Sequence, residues 1–313
     1  MWTLAINNNR MYYNNRFLAA GLDIRGEHGS VIDGLFRISR EVALSIGQDV
    51  LPGVQFGSES AEIIGDKSML DRIRKASMRT GGPAIIHHPD DSRPSSAGFI
   101  PRLQLDLQAA GYLGSNFVVV HPPAEATPMA SRLVSSDLVD QVTVNSVKRS
   151  GIGIALENLG PARHQPVMGD ICEVASVVRT IRREYGERYG PELRTRVGMC
   201  LDYGHHIAFC AREGRDPVEA LELLREDGDL VVMMHVHLND GSADQHLLPG
   251  ERIGGSEDDI LTGYENLLLE EVIPGFTGCR TYVIERNSPF RMEELLFAAR
   301  LIADSVPKNH REV

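Results

Sequence analysis

Cysteine is scarce: only Cys172, Cys200, Cys210 and Cys279 occur in 313 residues, with no CxxC pair. A chain of this length buries enough surface to need no covalent staples, so these residues read as reduced thiols of a cytoplasmic protein and a disulfide scaffold is excluded. No run approaches the roughly 20 apolar residues of a membrane span. The opening MWTLAINNNR lacks a basic stretch followed by an apolar one, so it does not read as a secretory signal. Positive charge is also short. The 32 Lys and Arg face 43 Asp and Glu, leaving −11, and the resulting field repels polyanions, which counts against a general nucleic-acid coat. The chain shows no internal repeat, no low-complexity tract, no dividing linker and no GxGxxG after its first apolar run.

What is present is an alternation. Short β-rich apolar runs at 3–6, 53–56, 84–87, 117–121, 152–157, 197–202, 230–238 and 281–285 predict strands. Helical patterns lie between and after them, at about 31–47, 66–80, 101–114, 133–149, 170–189, 216–226, 258–273 and 291–305. Asp216-Pro217 opens one helix, and Pro101 sits in the first turn of another. Strand followed by helix, eight times over, predicts an α/β fold: a (β/α)8 TIM barrel, a single domain over 1–313. Two long loops, 7–30 and 239–257, follow strands and would lie at the C-terminal mouth, where such barrels carry their chemistry; the first is expected to cover it.

Ionisable residues recur where the strands end: His87 and His88, His121, Glu157, Asp202 with His205 and His206, His235 with His237 and Asp240, and Glu285. Asp244 and His246 follow in the loop after the seventh strand. Buried strands should be almost wholly apolar, because an unpaired interior charge costs several kcal/mol or shifts its pKa until it neutralises. Alternation along the strands gives an independent check. Gly153, Ala155 and Glu157 share one face, as do Gly198, Cys200 and Asp202, and the opposite faces carry bulky aliphatics suited to a helix-covered outside. Glu157 and Asp202 therefore point inward. Thr281, Val283 and Glu285 share a face; His235 and His237 share another, with His237 nearer the mouth; and only one of His87 and His88 can face the axis. Converging carboxylates and imidazoles without Lys or Arg form a divalent-metal site. Imidazole with mixed oxygen donors suits Zn, Mn, Co or Ni, whereas all-oxygen sets suit Mg or Ca.

These residues resemble the xylose isomerase-like barrels, a family that includes endonuclease IV and many sugar isomerases and epimerases. The resemblance runs from the third strand to the eighth and rests on HHP at 87–89, VHPP at 120–123, LEN at 156–158, LDYGHH at 201–206, HLND at 237–240, DQH at 244–246 and IER at 284–286. It implies that Glu157, Asp202, His237 and Glu285 hold a central metal. It also implies that His87, His121, His205, Asp244 and His246 match the further ligands with which endonuclease IV holds three zinc ions. The chain departs from endonuclease IV in lacking its Gly-rich start, in the short span between His237 and Asp244, and in LDYGHH, which is closer to the LDxGH of the isomerases. The family tail GEG here has Arg252 at its second glycine.

The resemblance favours a metal-dependent isomerase or epimerase of a ketose, sugar acid or related polyol, with one to three divalent ions (Mn, Co, Mg or Zn) per chain and a small carbohydrate-like substrate. On that scheme a metal-stabilised enediolate forms, Glu157 and Glu285 exchange the proton as base and acid, and His205 orients the substrate. Tyr12, Tyr13, Asn14 and Arg16 of the first loop, with Arg252, would bind substrate. The alternative is an apurinic-site endonuclease or other phosphodiesterase with a trinuclear zinc site, using Arg10, Arg16 and Arg25 with Tyr12 and Tyr13 against DNA. A third reading is a barrel that only binds a ligand or partner. Self-association is left open by the sequence.

Overall fold

The computed structural model describes residues 1–7, 28–47, 50–56, 64–89, 94, 96–122, 130–160, 168–242, 245–254, 257–286 and 291–307. Eight parallel strands close on themselves in chain order: β1 (Trp2–Asn7), β2 (Val50–Phe56), β3 (Ala84–His87), β4 (Phe117–Val120), β5 (Gly153–Glu157), β6 (Val197–Asp202), β7 (Val231–Val236) and β8 (Thr281–Ile284). β8 returns to β1 through Ala5↔Val283 and its neighbours, so the sheet has no free edge. The (β/α)8 barrel expected from the alternation of patterns is the observed architecture.

Around it lie α1 (His28–Ile46), α2 (Lys67–Thr80), α3 (Phe99–Leu113), α4 (Ala130–Leu138), α5 (Gln141–Ser150), α6 (Ile171–Tyr189), α7 (Tyr203–Glu213), α8 (Pro217–Arg225), α9 (Glu257–Asn266), α10 (Ile273–Gly275) and α11 (Met292–Ser305). Local chemistry sets many of these boundaries. Asp66, Asp140, Asp170 and Asp216 each accept a backbone N–H at a helix start, satisfying donors that have no intrahelical partner. Asp140 explains why the single helix expected over 133–149 is two: its cap on Val142 N starts a new helix after Leu138. The helix expected over 258–273 widens to π-helical hydrogen bonding at Leu267–Val272. The long loop expected over 7–30 lies mostly in residues 8–27, outside the described residues; Asn7 ends β1 and residue 28 already begins α1. No helix of the described residues is long and apolar enough to cross a membrane.

Two cores follow from strand parity. Outward aliphatics such as Ile154, Leu156, Met199, Leu201 and Ile284 pack with the helices in one large cluster. Inside the barrel Ala5, Ile85, Val119, Ala155, Cys200, Met233 and Val283 form a separate apolar plug. The residue two positions further along each of these strands has the same inward direction and lies one step nearer the mouth. Those residues are Asn7, His87, His121, Glu157, Asp202, His235 and Glu285. The plug is thus the floor on which the polar site rests.

Candidate metal centre

Three buried carboxylates anchor the site: Glu157 ending β5, Asp202 ending β6 and Glu285 just beyond β8. Glu157 Oε2 lies 3.0 Å from His87 Nε2 and 3.2 Å from His121 Nε2. Its other oxygen is 3.3 Å from His235 Nδ1 and 3.7 Å from His205 Nδ1. Asp202 has two duties. Oδ1 caps α7 by accepting His205 N at 2.7 Å, and the same carboxylate meets His237 Nε2 at 2.9 Å and His205 Nδ1 at 3.3 Å. Glu285 accepts from the Asn7 amide, and its Oε2 lies 3.4 Å from His246 Nδ1. Donor atoms gather into overlapping groups, among them His87–His121–Glu157, Asp202–His235–Glu285 and His205–His237–His246, each with its atoms within 4.8 Å of one another.

Burial alone would raise the carboxyl pKa values, but the surrounding imidazoles win. His235 and His121 hold Glu157 well below the usual range, His205 and His237 do the same for Asp202, and His235 and His246 bring Glu285 down to about 2. Burial would likewise lower His235, yet Glu157 and Glu285 raise it, whereas burial lowers His237 despite Asp202. Among the described residues no Lys or Arg forms an ion pair with any of the three acids. Three buried acids whose ion-pair partners among the described residues are all imidazoles are a donor set for divalent cations. The residues fit the metal that the sequence implies.

Supporting polar groups fix the ligands in place, as metal sites require. His87 Nδ1 lies 3.0 Å from the His88 carbonyl oxygen, which turns Nε2 towards Glu157. His88 itself faces away from the axis, onto the Asp106 carboxylate of α3 at 2.5 Å, where Arg102 joins at 2.9 Å. Asn158 exchanges two hydrogen bonds with the Asp202 backbone and its carbonyl meets His205 Nδ1 at 3.1 Å. Asn239 Oδ1 accepts from Gln245 N and His246 N. His246 sits at φ +52°, a left-handed conformation uncommon for a side-chain-bearing residue, and Arg286 donates to its carbonyl oxygen while pairing with Glu251. The His237 and His246 rings stack at 3.9 Å.

The structure therefore brings together His87, His121, Glu157, Asp202, His205, His237, His246 and Glu285. Asp244, Tyr12, Tyr13, Asn14 and Arg16, with Arg10 and Arg25, lie outside the described residues. The Arg252 guanidinium pairs with Glu265 of α9, with Nη2–Oε1 at 3.1 Å. Sequence reasoning missed Asn7 and Gln55, amides that point among acids, and Asp106, whose burial behind His88 only packing reveals. Strand parity gives His235 a face but no role; its position two residues after Met233 is the signal that would have found it.

Solved structures of xylose isomerase-like barrels share the fold of this closed parallel barrel. A 3-keto-D-glucoside 4-epimerase, YcjR, from E. coli aligns over 97% of this chain and 100% of its own with a TM-score of 0.58 at 16% identity. Endonuclease IV from Thermus thermophilus aligns over 96% and 98% with a TM-score of 0.55 at 18% identity. The IOLI protein with a bound zinc atom aligns over 99% and 96% with a TM-score of 0.54 at 17% identity. By sequence the chain belongs to the family of an uncharacterized protein of Mycobacterium leprae (strain TN), to which it is 30% identical over 221 residues, 67% of this chain and 72% of that one. No protein-family model matches the chain.

Proposed function

We propose that this barrel is a cytoplasmic, divalent-metal-dependent isomerase or epimerase acting on a ketose, a sugar acid or a related polyol. The observation that carries the proposal is the meeting of Glu157, Asp202 and Glu285 with the imidazoles of His87, His121, His205, His235, His237 and His246 in a largely buried cluster where, among the described residues, no Lys or Arg pairs with the three acids. Fold neighbours that include an epimerase and a zinc-bound protein support it. A divalent ion, when bound, supplies Lewis acidity that makes a C–H beside a substrate oxygen easier to ionise. The protein's own share is proton handling and orientation. Glu157 and Glu285 both reach His235 Nδ1 at 3.3 Å, from β5 and β8, so carboxylates from two separate strands serve one site. Both are held ionised at neutral pH by neighbouring imidazoles, so either can accept the substrate proton, and the carboxyl that takes it up is the one that can return it. His205, fixed by Asp202 and Asn158, orients a substrate hydroxyl.

The experiment is solvent-proton exchange. Candidate ketoses and sugar acids incubated with the metal-loaded protein in deuterated water should gain deuterium at the carbon flanked by oxygens, and Glu157→Gln should abolish the gain. Incorporation that survives in both Glu157→Gln and Glu285→Gln contradicts the two-carboxylate scheme. A second reading, cleavage of a phosphodiester at a trinuclear zinc site, is favoured by the presence of several donor groups and by the likeness in fold to endonuclease IV. It is opposed by the net charge of −11. Chelator-sensitive nicking of an abasic-site duplex, with no exchange on any sugar, would establish it.

A further inference from the structure

The imidazole that occupies the β7 position of the donor ring is His235. On β5, β6 and β8 the acid follows the plug residue by two positions: Ala155 to Glu157, Cys200 to Asp202, Val283 to Glu285. On β7 the same step leads from Met233 to His235, while His237 lies one inward step beyond the strand end at Val236. The register Asp202↔His235 sets the two side by side. His235 is fully buried, and its Nδ1 lies 3.3 Å from Glu157 Oε1, 3.3 Å from Glu285 Oε1 and 3.6 Å from Asp202 Oδ2.

Those separations have a meaning. Two donors to one zinc at the typical 2.0–2.1 Å stand about 3.3–3.4 Å apart in a tetrahedron, the separation of His235 Nδ1 from Glu157 and from Glu285, and the donor atoms of Asp202, His235 and Glu285 lie within 4.8 Å of one another. By contrast His237 Nε2 approaches Asp202 Oδ1 to 2.9 Å, an ordinary hydrogen bond, and groups with His205 and His246 instead.

The ring orientation is fixed as well. Gln55 directs its amide Nε2 at Glu285 Oε1, 3.4 Å away, because an ionised carboxylate can only accept. Its Oε1 must then receive the His235 Nε2–H, at 3.1 Å. With Nε2–H held by Gln55, the nitrogen of His235 that a cation can reach by displacing a proton is Nδ1, which lies among the three carboxylates and has no hydrogen-bond partner there.

We propose that His235, through Nδ1, is a protein ligand of the central divalent cation together with Glu157, Asp202 and Glu285. Gln55 selects its tautomer, and His237 serves the neighbouring group with His205 and His246. This rests on the metal-centre reading above.

The test uses the full chain stripped by chelator and titrated with Co2+ alone, with circular dichroism checking the fold of each variant. His235→Gln should weaken the tightest Co2+ equivalent by more than about 100-fold, beyond the roughly 10–100-fold loss expected of a merely orienting neighbour. His237→Gln should leave that equivalent in place. Proton NMR of the Co2+-loaded wild type should show a paramagnetically shifted, slowly exchanging ring N–H, from His235 Nε2, that moves or vanishes in Gln55→Leu. This signal keeps the proposal testable even where His235→Gln fails to fold. The proposal is overturned if His235→Gln binds the tightest equivalent like wild type while His237→Gln loses it, or if no such proton responds to Gln55. Failure of the wild type to take up any Co2+ overturns the metal-centre reading itself, a different result from either.

Discussion

Replacing Glu285 by Gln in metal-free protein tests whether the imidazoles offset the acids. Glu285 is 4% exposed and touches the Asn7 and Gln55 amides, His235 and His246. Burial would raise its pKa, but the two imidazoles bring it from an ordinary 4.5 to about 2. That drop corresponds to about 3 kcal/mol favouring the ionised folded state. Because the folded pKa lies below the unfolded one, the contribution is present above the unfolded value and is lost as pH falls through about 2. Glu285→Gln, nearly isosteric and unable to ionise, should therefore cost about 3 kcal/mol at pH 7, on the order of 5–10 °C in Tm. The gap to wild type should shrink to about 1 kcal/mol near pH 3. Urea unfolding of both proteins in chelator at pH 7 and pH 3 measures it. A variant as stable as wild type at pH 7, or a gap that ignores pH, refutes the reasoning.

Other perturbations probe different parts of the arrangement. Returning Zn2+, Co2+ or Mn2+ to the stripped wild type at about 100 times its dissociation constant should add roughly 2.7 kcal/mol of stability, read as a thermal shift, and Glu285→Gln should gain far less. Asp106→Ala removes the partner of two groups behind the site, one of them 1% exposed His88, and should cost roughly 3–5 kcal/mol in denaturant unfolding, with Asp106→Asn costing less. At Gly204 an added Cβ would lie 2.1 Å from His237 Cε1, so Gly204→Ala should push that ring away and weaken Co2+ binding at the outer group roughly 10–100-fold, with helix content unchanged.

Much of this was legible because a parallel barrel writes its strands as short apolar runs and its floor as alternating small residues. Parity alone turned Glu157 and Asp202 inward and put Glu285 on the face of Thr281 and Val283, and the structure brings all three acids to His235. α7 escaped notice because Tyr203–Glu213 begins directly at the strand end, where Gly204, His205 and His206 read as site residues rather than as a first helical turn. Rank within the ring was also hidden. Parity gives His235 and His237 the same direction, and only register against β6 and β8 tells which stands beside Asp202. Asp106 lies in an amphipathic helix where an acid reads as solvated; tertiary packing makes it the buried partner of His88. Arg252 and Glu265 meet across a loop and a helix, a pairing that no local pattern encodes.

Metal content of gently purified protein tests the central claim most directly. Elemental analysis after gel filtration should find at least one tightly held divalent transition ion per chain, and a protein carrying both Glu157→Gln and Asp202→Asn should lose it while keeping its circular dichroism. A wild-type protein that carries no such ion, and takes up none when Zn2+, Mn2+ or Co2+ is supplied, would contradict the account.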